Sequence, residues 1–431
     1  MKPAEPPTTP TNVLLPTPAH AGVRAGVSPL WAVFAFTFLN SLGSGVVTNG
    51  IVFMSTGGYG FTERQNAWLM VLLGVTYIAG ALATRPLVEW ARRATIGTRG
   101  LLALLMIAGA ALCTVPQLIQ WLGGGRPTWI IWLLVGVYSP LTGVLWPLVE
   151  SYVSGGRSGQ TLRTVTSRWN IVWSSAVVVA SVGISRYVES QPALMVFLLG
   201  FIHLLCLTLL TRLQNEPAPH LPDEHEPHPP VYAKLLVTFR LLLPMSYIVG
   251  SALGPYLPSA MKSLGIKVEL WAMLTATWLL ARVLVFILLN RWHGWHGRWY
   301  PAVLGGVLLV TGFGASVFAA PMESIALLIA GLAMFGTGMA VVYSGALYYA
   351  LEVGQAEVEA GGKHEALIGA GYTIGPGILL ASSYAVSTGL MPEQHREPVV
   401  LAIVGAIAIV VALMVVQRVM AQVKDPLKGS H

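Results

Sequence analysis

The sequence predicts an all-α membrane protein of twelve transmembrane helices, arranged as two pseudo-symmetric six-helix bundles. Three observations carry this prediction. Of 431 residues, 55% are hydrophobic and only 10% charged, against about 25% charged in soluble globular chains. The apolar runs are long and continuous, without the short alternating segments of a membrane β-barrel. One long hydrophilic break divides them six and six.

A run of ~20 apolar residues crosses a bilayer. Such runs fall at 29–54, 66–90, 100–122, 128–153, 162–188, 192–213, 234–259, 269–290, 300–319, 325–351, 365–389 and 397–420. Most exceed the minimum, so tilt is expected. Helices suit these runs because lipid leaves no unpaired backbone group satisfied. With the N-terminus inside, 18 of the 25 Lys and Arg residues fall in inner segments and six in outer ones. Arg282, the remaining one, sits deep in the middle of a span. This bias places both termini on the cytoplasmic side of an inner membrane. It also accounts for the net charge of +7 without a nucleic-acid partner.

Residues 1–27 form a Pro/Thr-rich tail, "MKPAEPPTTPTNVLLPTPAHAG" and onward, with no apolar signal-peptide core. It is expected to be disordered, and 422–431 form a C-terminal tail. The first bundle is read at 28–213, a cytoplasmic linker at 214–233 and the second bundle at 234–421. His220, His225 and His228 in "LQNEPAPHLPDEHEPHPPVYAK" belong to a solvated Pro-rich linker rather than a metal set. Cys113 and Cys206 fall in apolar runs and read as small buried hydrophobes.

The halves echo each other. "VYSPLTG" from Val137 and "VYSGALY" from Val342 are offset by 205 residues. The same offset relates Trp90 to Trp295 and Arg93 to Arg298; Glu150 and Glu352 are offset by 202. A parallel repeat about an axis along the membrane normal places a substrate site between the halves near the midplane.

These features resemble the major facilitator superfamily over about residues 28–420. The family's loop between spans two and three carries a Gly-x-x-x-Asp-Arg-x-Gly-Arg-Arg pattern. "RPLVEWARR", Arg85 to Arg93, keeps one acid, Glu89, and the closing basic pair. The copy after span eight, "RWHGWHGRW", has no acid. "SRWNIVWSS" from Ser167 and "HEALIGAGYTIGPG" from His364 are similar to the family's fifth and eleventh spans. The resemblance implies alternating access between two bundles, often driven by a proton or ion gradient, and a gating role for the loop that holds Glu89.

At 100° per residue, polar and aromatic residues form stripes. In span one these are Thr37, Asn40, Ser44 and Thr48; in span five, Thr166, Asn170, Ser174 and Ser181. Span four aligns Ser139, Trp146 and Glu150; span seven, Tyr247, Ser251, Gly254 and Pro258. Span eight aligns Trp271, Thr275, Trp278 and Arg282; span ten, Gly345, Tyr348 and Glu352. Stripes of small residues also serve close helix packing. Stripes ending in Arg, Glu or Asn point to a wet interior, because lipid exposure of those groups is expensive. Pro140, Pro147, Pro244 and Pro255 allow bends in spans four and seven.

Arg282 is the sharpest signal. An arginine at mid-membrane costs ~2.5–3.5 kcal/mol on insertion scales, and guanidinium does not escape by deprotonating. Three readings compete: a bidentate site for an anionic substrate, an interbundle lock with Glu150 or Glu352, or pairing with backbone carbonyls and water. Asn40, Asn170, Trp146, Trp173, Trp278, Tyr247 and Tyr348 are the further substrate-contact candidates. Glu150 and Glu352 are candidates for proton coupling, and Glu89 and Arg168 for gating. Arg163 and Arg168 open span five near Glu150, where a structural salt bridge is the plainer role.

Glu365 reads as an acid at the start of span eleven, favourable at a helix N-terminus. His203 reads as a packing histidine, and "WHGWHG" as an interfacial anchor. "KHEALIG" lacks the second histidine of a zinc-protease motif, so neither enzyme chemistry, a metal nor a cofactor is expected. The expected function is secondary active transport of a small anionic or amphiphilic organic solute, with H+ as coupling ion, by a monomer in the bilayer. The alternatives are an exporter of hydrophobic drugs and a non-transporting receptor or assembly factor.

Overall fold

The computed structural model describes residues 26–219, 229–353 and 358–424. The described residues are helical wherever they are regular. The first predicted span is broken into α1 (Leu30–Gly43), a π-helical stretch over Ser44–Asn49, and α2 (Ile51–Tyr59). Gly60 ends α2 in the left-handed region at φ 68°. Thr62 then opens α3 (Glu63–Arg93) with a reciprocal capping box to Gln65. There follow α4 (Gly97–Trp121), α5 (Trp129–Ser154), α6 (Gly159–Ile184) and α7 (Pro192–Leu210). The second half holds α8 (Val231–Ser263), α9 (Val268–Arg291), α10 (Tyr300–Phe318), α11 (Ile325–Val353), α12 (Val358–Ser387) and α13 (Glu393–Lys424).

Among the described residues, eleven helical segments are long and apolar enough to cross a membrane, the run Leu30–Asn49 among them. The twelfth predicted span, α6, has the length, 26 residues, but falls outside that set. Arg163, Arg168 and Asn170 load its first half, so its fit to the membrane depends on neighbours rather than on composition. Trp169, Asn170 and Ser174 are all buried.

The halves meet along three seams: α3 against α12, α6 against α9, and α5 against α12. Counting spans, two of these contacts are two-with-eleven and five-with-eight. An axis that exchanges span n with span n+6 turns one into the other, as a pseudo-twofold requires. Close approach within each half rests on glycine. A Cβ on Gly80 of α3 would lie 2.2 Å from the Pro140 carbonyl oxygen of α5, and one on Gly336 of α11 2.0 Å from the Trp278 carbonyl oxygen of α9. The predicted prolines lie inside α5 and α8, joined by Pro258.

One end of the molecule carries loops 94–96, 155–158, 211–219 and 292–299 and most of the basic residues; it is called the basic end below. Arg157 closes α5 there, donating from Nη1 to the carbonyls of Tyr152, Val153 and Gly155 at 2.8–3.0 Å. The first part of the predicted linker packs on the first half. Glu216 accepts from the Thr98 backbone N–H and hydroxyl at 3.0 and 2.6 Å. Residues 1–25 of the predicted N-terminal tail, 220–228 with the linker histidines, and 425–431 lie outside the described residues.

Candidate functional site

Two connected cavities occupy the seam. One of about 590 Å³ is lined by Ser44, Thr48, Asn49, Tyr77, Trp146, Trp169, Trp173, Tyr247, Trp278, Arg282, Tyr343, Glu365 and Tyr372. The other, about 850 Å³, shares Thr48, Asn49, Tyr247, Trp278 and Tyr372 with it. It continues past Gly50, Phe53, Gly254, Leu257, Ala272 and Thr275. Those residues lie at the start of α2, toward the end of α8 and near the start of α9, so the chamber extends away from the basic end.

Arg282 is 3% exposed and roughly 21 Å along α9 from Val268 by helix rise. Its guanidinium carbon lies 4.3 Å from the ring centre of Trp173 and 4.8 Å from that of Trp278. Trp173 comes from α6 and Trp278 from α9, so the cation is sandwiched by one indole from each half. Nε has no hydrogen-bond partner, and no carboxylate lies within 4 Å of the guanidinium among the described residues. Trp173 packs on Tyr343 and Phe286 at ring separations of 5.2 and 6.1 Å, and Tyr247 on Tyr372 at 5.2 Å. The result is an aromatic box around one buried positive charge.

An interbundle lock is one of the three readings of Arg282; the ion pairs that cross between the halves at the basic end are made by other residues. Glu352 of α11, 5% exposed, pairs with Arg163 of α6 at 3.3 Å. Arg85 of α3 bridges to Glu359 of α12 at 2.5 Å, and Lys363 joins Glu359 at 2.8 Å. Hydrogen bonding and charge from Lys363, then the Arg85 charge, hold the Glu359 carboxyl below the usual carboxylate range. Both bridges cross between the halves at the basic end.

Glu150 of α5 is 3% exposed and faces His364 and Glu365 of α12, each also 3% exposed. Ligand-type atoms of the three side chains lie within 4.8 Å of one another. The Tyr77 hydroxyl of α3 donates to Glu365 Oε2. Neither oxygen of Glu150 has a hydrogen-bond partner.

Of the predicted contact residues, Arg282, Trp146, Trp173, Trp278 and Tyr247 come together in the cavity. Three do not. Asn40 turns into the first bundle and donates to Cys206 Sγ at 3.3 Å and the Phe36 carbonyl at 3.0 Å. Asn170 is buried and accepts from Trp173 Nε1 at 3.1 Å, so it orients the indole from behind. Tyr348 packs among Tyr232, Trp295, His296 and Tyr349 at the basic end.

The gating candidates also differ from expectation. Glu89 is exposed and pairs with Arg85 four residues earlier at 3.1 Å, within one half. Arg168 is exposed and lines neither cavity. Glu365 does not open its helix: α12 begins by Val358, so the carboxylate stands two turns in, buried at the seam. Trp295 is 4% exposed and plugs the basic end, whereas Trp292 at 46% matches an interfacial anchor. His203 is buried with Nε2 3.1 Å from the Tyr138 hydroxyl, and both cysteines are free and buried.

Sequence reasoning did not assign Tyr77, Trp169, Tyr343, Glu365 or Tyr372 to the site. A signal was present: Trp169 and Trp173 are four apart, as are Ile368 and Tyr372, with Glu365 three before Ile368. Each set covers one helix face.

No family model and no curated protein matches the sequence. Solved structures match over most of the chain. The nucleoside transporter NupG is 14% identical, covering 90% of this chain and 98% of its own at a TM-score of 0.59. The human organic anion transporter MFSD10 is 13% identical, covering 90% and 98% at 0.60.

Proposed function

We propose that this chain, which has the fold of the major facilitator superfamily, is a secondary active transporter of a small amphiphilic organic anion, moved by alternating access. The observation that carries the proposal is Arg282. A desolvated guanidinium without a carboxylate, open to an aromatic cavity, is an incomplete ion pair. An anion from outside completes it through the bidentate fork. The cation–π contacts offset part of the desolvation cost while leaving the N–H donors for the ligand.

The larger chamber argues for an apolar body on the same solute. Phe53, Leu253, Leu257, Leu279, Phe335 and Met339 line it and offer no charge. A carboxylate, phosphate or sulfonate head on Arg282 with a hydrophobic remainder in this chamber uses both parts. One structural neighbour, 13% identical, is an organic anion transporter, which accords with this reading. A plain sugar fits less well, because Asn40 and Asn170 are engaged elsewhere.

Ion pairs join the halves at the basic end, Arg163–Glu352 and Arg85–Glu359, and also at the opposite end, where Arg396 of α13 meets Glu63 of α3 at 2.7 Å. Glu150 and Glu365 at the seam support ion coupling, since a buried carboxyl pair needs a neutralising cation and a proton is the simplest. Residues 28–213 and 234–421 serve as the two rocking units. The test is uptake into proteoliposomes of labelled amphiphilic anions against neutral analogues. Saturable uptake of the anion, abolished in Arg282→Lys at unchanged melting temperature, is expected; equal handling of anion and neutral analogue removes the proposal.

A further inference from the structure

We infer that Glu150, His364 and Glu365 form a binding site for one divalent first-row transition-metal cation, set between the two halves and bordering the cavity. This goes beyond the anion reading at Arg282, and it gives the two carboxylates taken above for ion coupling a metal cation in place of the proton.

The donor set has the composition of such a site. Two carboxylates and an imidazole suit Mn²⁺, Fe²⁺, Co²⁺ or Zn²⁺, while a nitrogen donor argues against Na⁺ or Mg²⁺. The three donor atoms lie within 4.8 Å of one another. Ligands of a common ion at ~2.1 Å lie about 3.0–4.2 Å apart according to geometry, so side-chain shifts of about 0.6–1.8 Å, within the reach of small χ rotations, complete the site.

The orphaned atoms point the same way. Glu150 Oε1, Glu150 Oε2 and His364 Nε2 are all buried without a hydrogen-bond partner. One proton shared between the carboxyl groups satisfies at most one of Glu150's oxygens and leaves the imidazole nitrogen unmet. A dication meets all three donors and cancels the formal charge of both carboxylates, which makes their burial tolerable. A supporting layer is in place. Tyr77 donates to Glu365 Oε2, leaving the other oxygen for the metal, and the Tyr343 ring packs edge-on to His364 at 5.4 Å. Such outer contacts fix ligand orientation. Gly361 provides room, because a Cβ there would sit 2.6 Å from Glu150 Oε2. Glu365 lines the cavity, which supplies the entry path.

The ion joins α5 of the first half to α12 of the second. It binds only where those helices meet, and by linkage it favours that arrangement. Cation occupancy and closure of the basic end are thereby one equilibrium.

The experiment titrates Co²⁺ into the purified full-length protein and follows its visible absorption together with melting temperature, with Zn²⁺ and Mn²⁺ as competitors and Mg²⁺ and Na⁺ as controls. One Co²⁺ per chain, a raised melting temperature and competition by Zn²⁺ are expected. Glu150→Gln and His364→Gln should each weaken binding more than about tenfold, since even outer-layer changes cost 10–100-fold. Absence of any transition-metal effect on the unmutated protein overturns the inference, whether or not the variants fold. So does a melting temperature that responds to pH alone. Undiminished Co²⁺ binding in both variants assigns the metal to other histidines, such as His293 and His296, and also overturns it. None of these readings involves the transported anion, so failure here leaves the Arg282 proposal to its own test.

Discussion

Trp173 lies 4.3 Å beneath the guanidinium of Arg282, and the two residues come from opposite halves of the chain. The charge that would hold the substrate is therefore itself held by a contact that the proposed rocking motion must break. Trp278 shares a helix with Arg282 and would travel with it; Trp173 would not.

Trp173→Leu should therefore do more than remove ring area. A desolvated cation–π contact is worth about 2 kcal/mol, roughly 30-fold in an equilibrium. Anion affinity is expected to fall by about that order, measured by tryptophan-independent radioligand binding on purified protein. The Asn170 side chain loses its indole donor at the same time, so Asn170→Ala should reproduce a fraction of the loss. Affinity unchanged in both variants would mean that the indole is packing only.

The Arg163–Glu352 and Arg85–Glu359 bridges make a second prediction. Arg85 and Glu359 are largely exposed, where an ion pair contributes ~0–1 kcal/mol. Glu352 is buried and Arg163 about one-third exposed, so this pair should dominate closure. Spin labels at Gln160→Cys and Arg298→Cys, in a background with Cys113 and Cys206 replaced, report the gap between α6 and the 292–299 loop. Glu352→Gln should enlarge the long-distance population, and Glu359→Gln should change it little. Identical distributions in the two variants would count against a latch at Glu352.

His296 sets a pH dependence. The imidazole lies between spans, packed on Trp295 at 4.1 Å and Tyr348 at 4.6 Å. Burial pushes its pKa down to about 4, against about 6.5 when unfolded. Between those values the unfolded chain binds more protons, so stability rises with pH across this window. The contribution is full above about 6.5 and lost as pH falls toward 4. Melting temperature should accordingly drop from pH 7 to pH 5, and less in His296→Phe. An equal drop in both proteins would trace the acid sensitivity to other groups.

The sequence made the fold legible because lipid leaves so few options. Composition demanded spanning helices, and the 205-residue echo between Val137 and Val342 announced the repeat. The site was legible in part. A helical wheel says that Trp278 and Arg282 share a face, and the cost of a buried charge says that face is not lipid. It does not say which face of α1 looks toward the seam. Asn40 therefore read as a cavity residue although its partner, Cys206, is 166 positions away. Glu365 was hidden by a boundary: with the helix taken to start there, an acid looked like ordinary end chemistry. Starting α12 by Val358 turns the same carboxylate into a seam residue opposite Glu150, a proximity no local spacing encodes. Arg168 misled for the opposite reason, because a charge near a span's start can simply face out.

The π-helical stretch at Ser44–Asn49 has a consequence for how the protein tolerates change. Such a stretch accommodates one more residue than a regular turn, so α1 and α2 are out of phase by about 100°. Upstream, Phe36 and Asn40 are indexed to the first bundle's own interior; within the stretch, Ser44, Thr48 and Asn49 face the cavity, and beyond it Phe53 lines the larger chamber. Loss of a single amino acid here would heal the helix and re-aim Asn49 and the rest of α2, Phe53 included, while leaving Trp146, Trp173, Trp278 and Arg282 untouched. The cavity lining is thus exposed to editing by indel, at one spot, with no substitution in the box around Arg282.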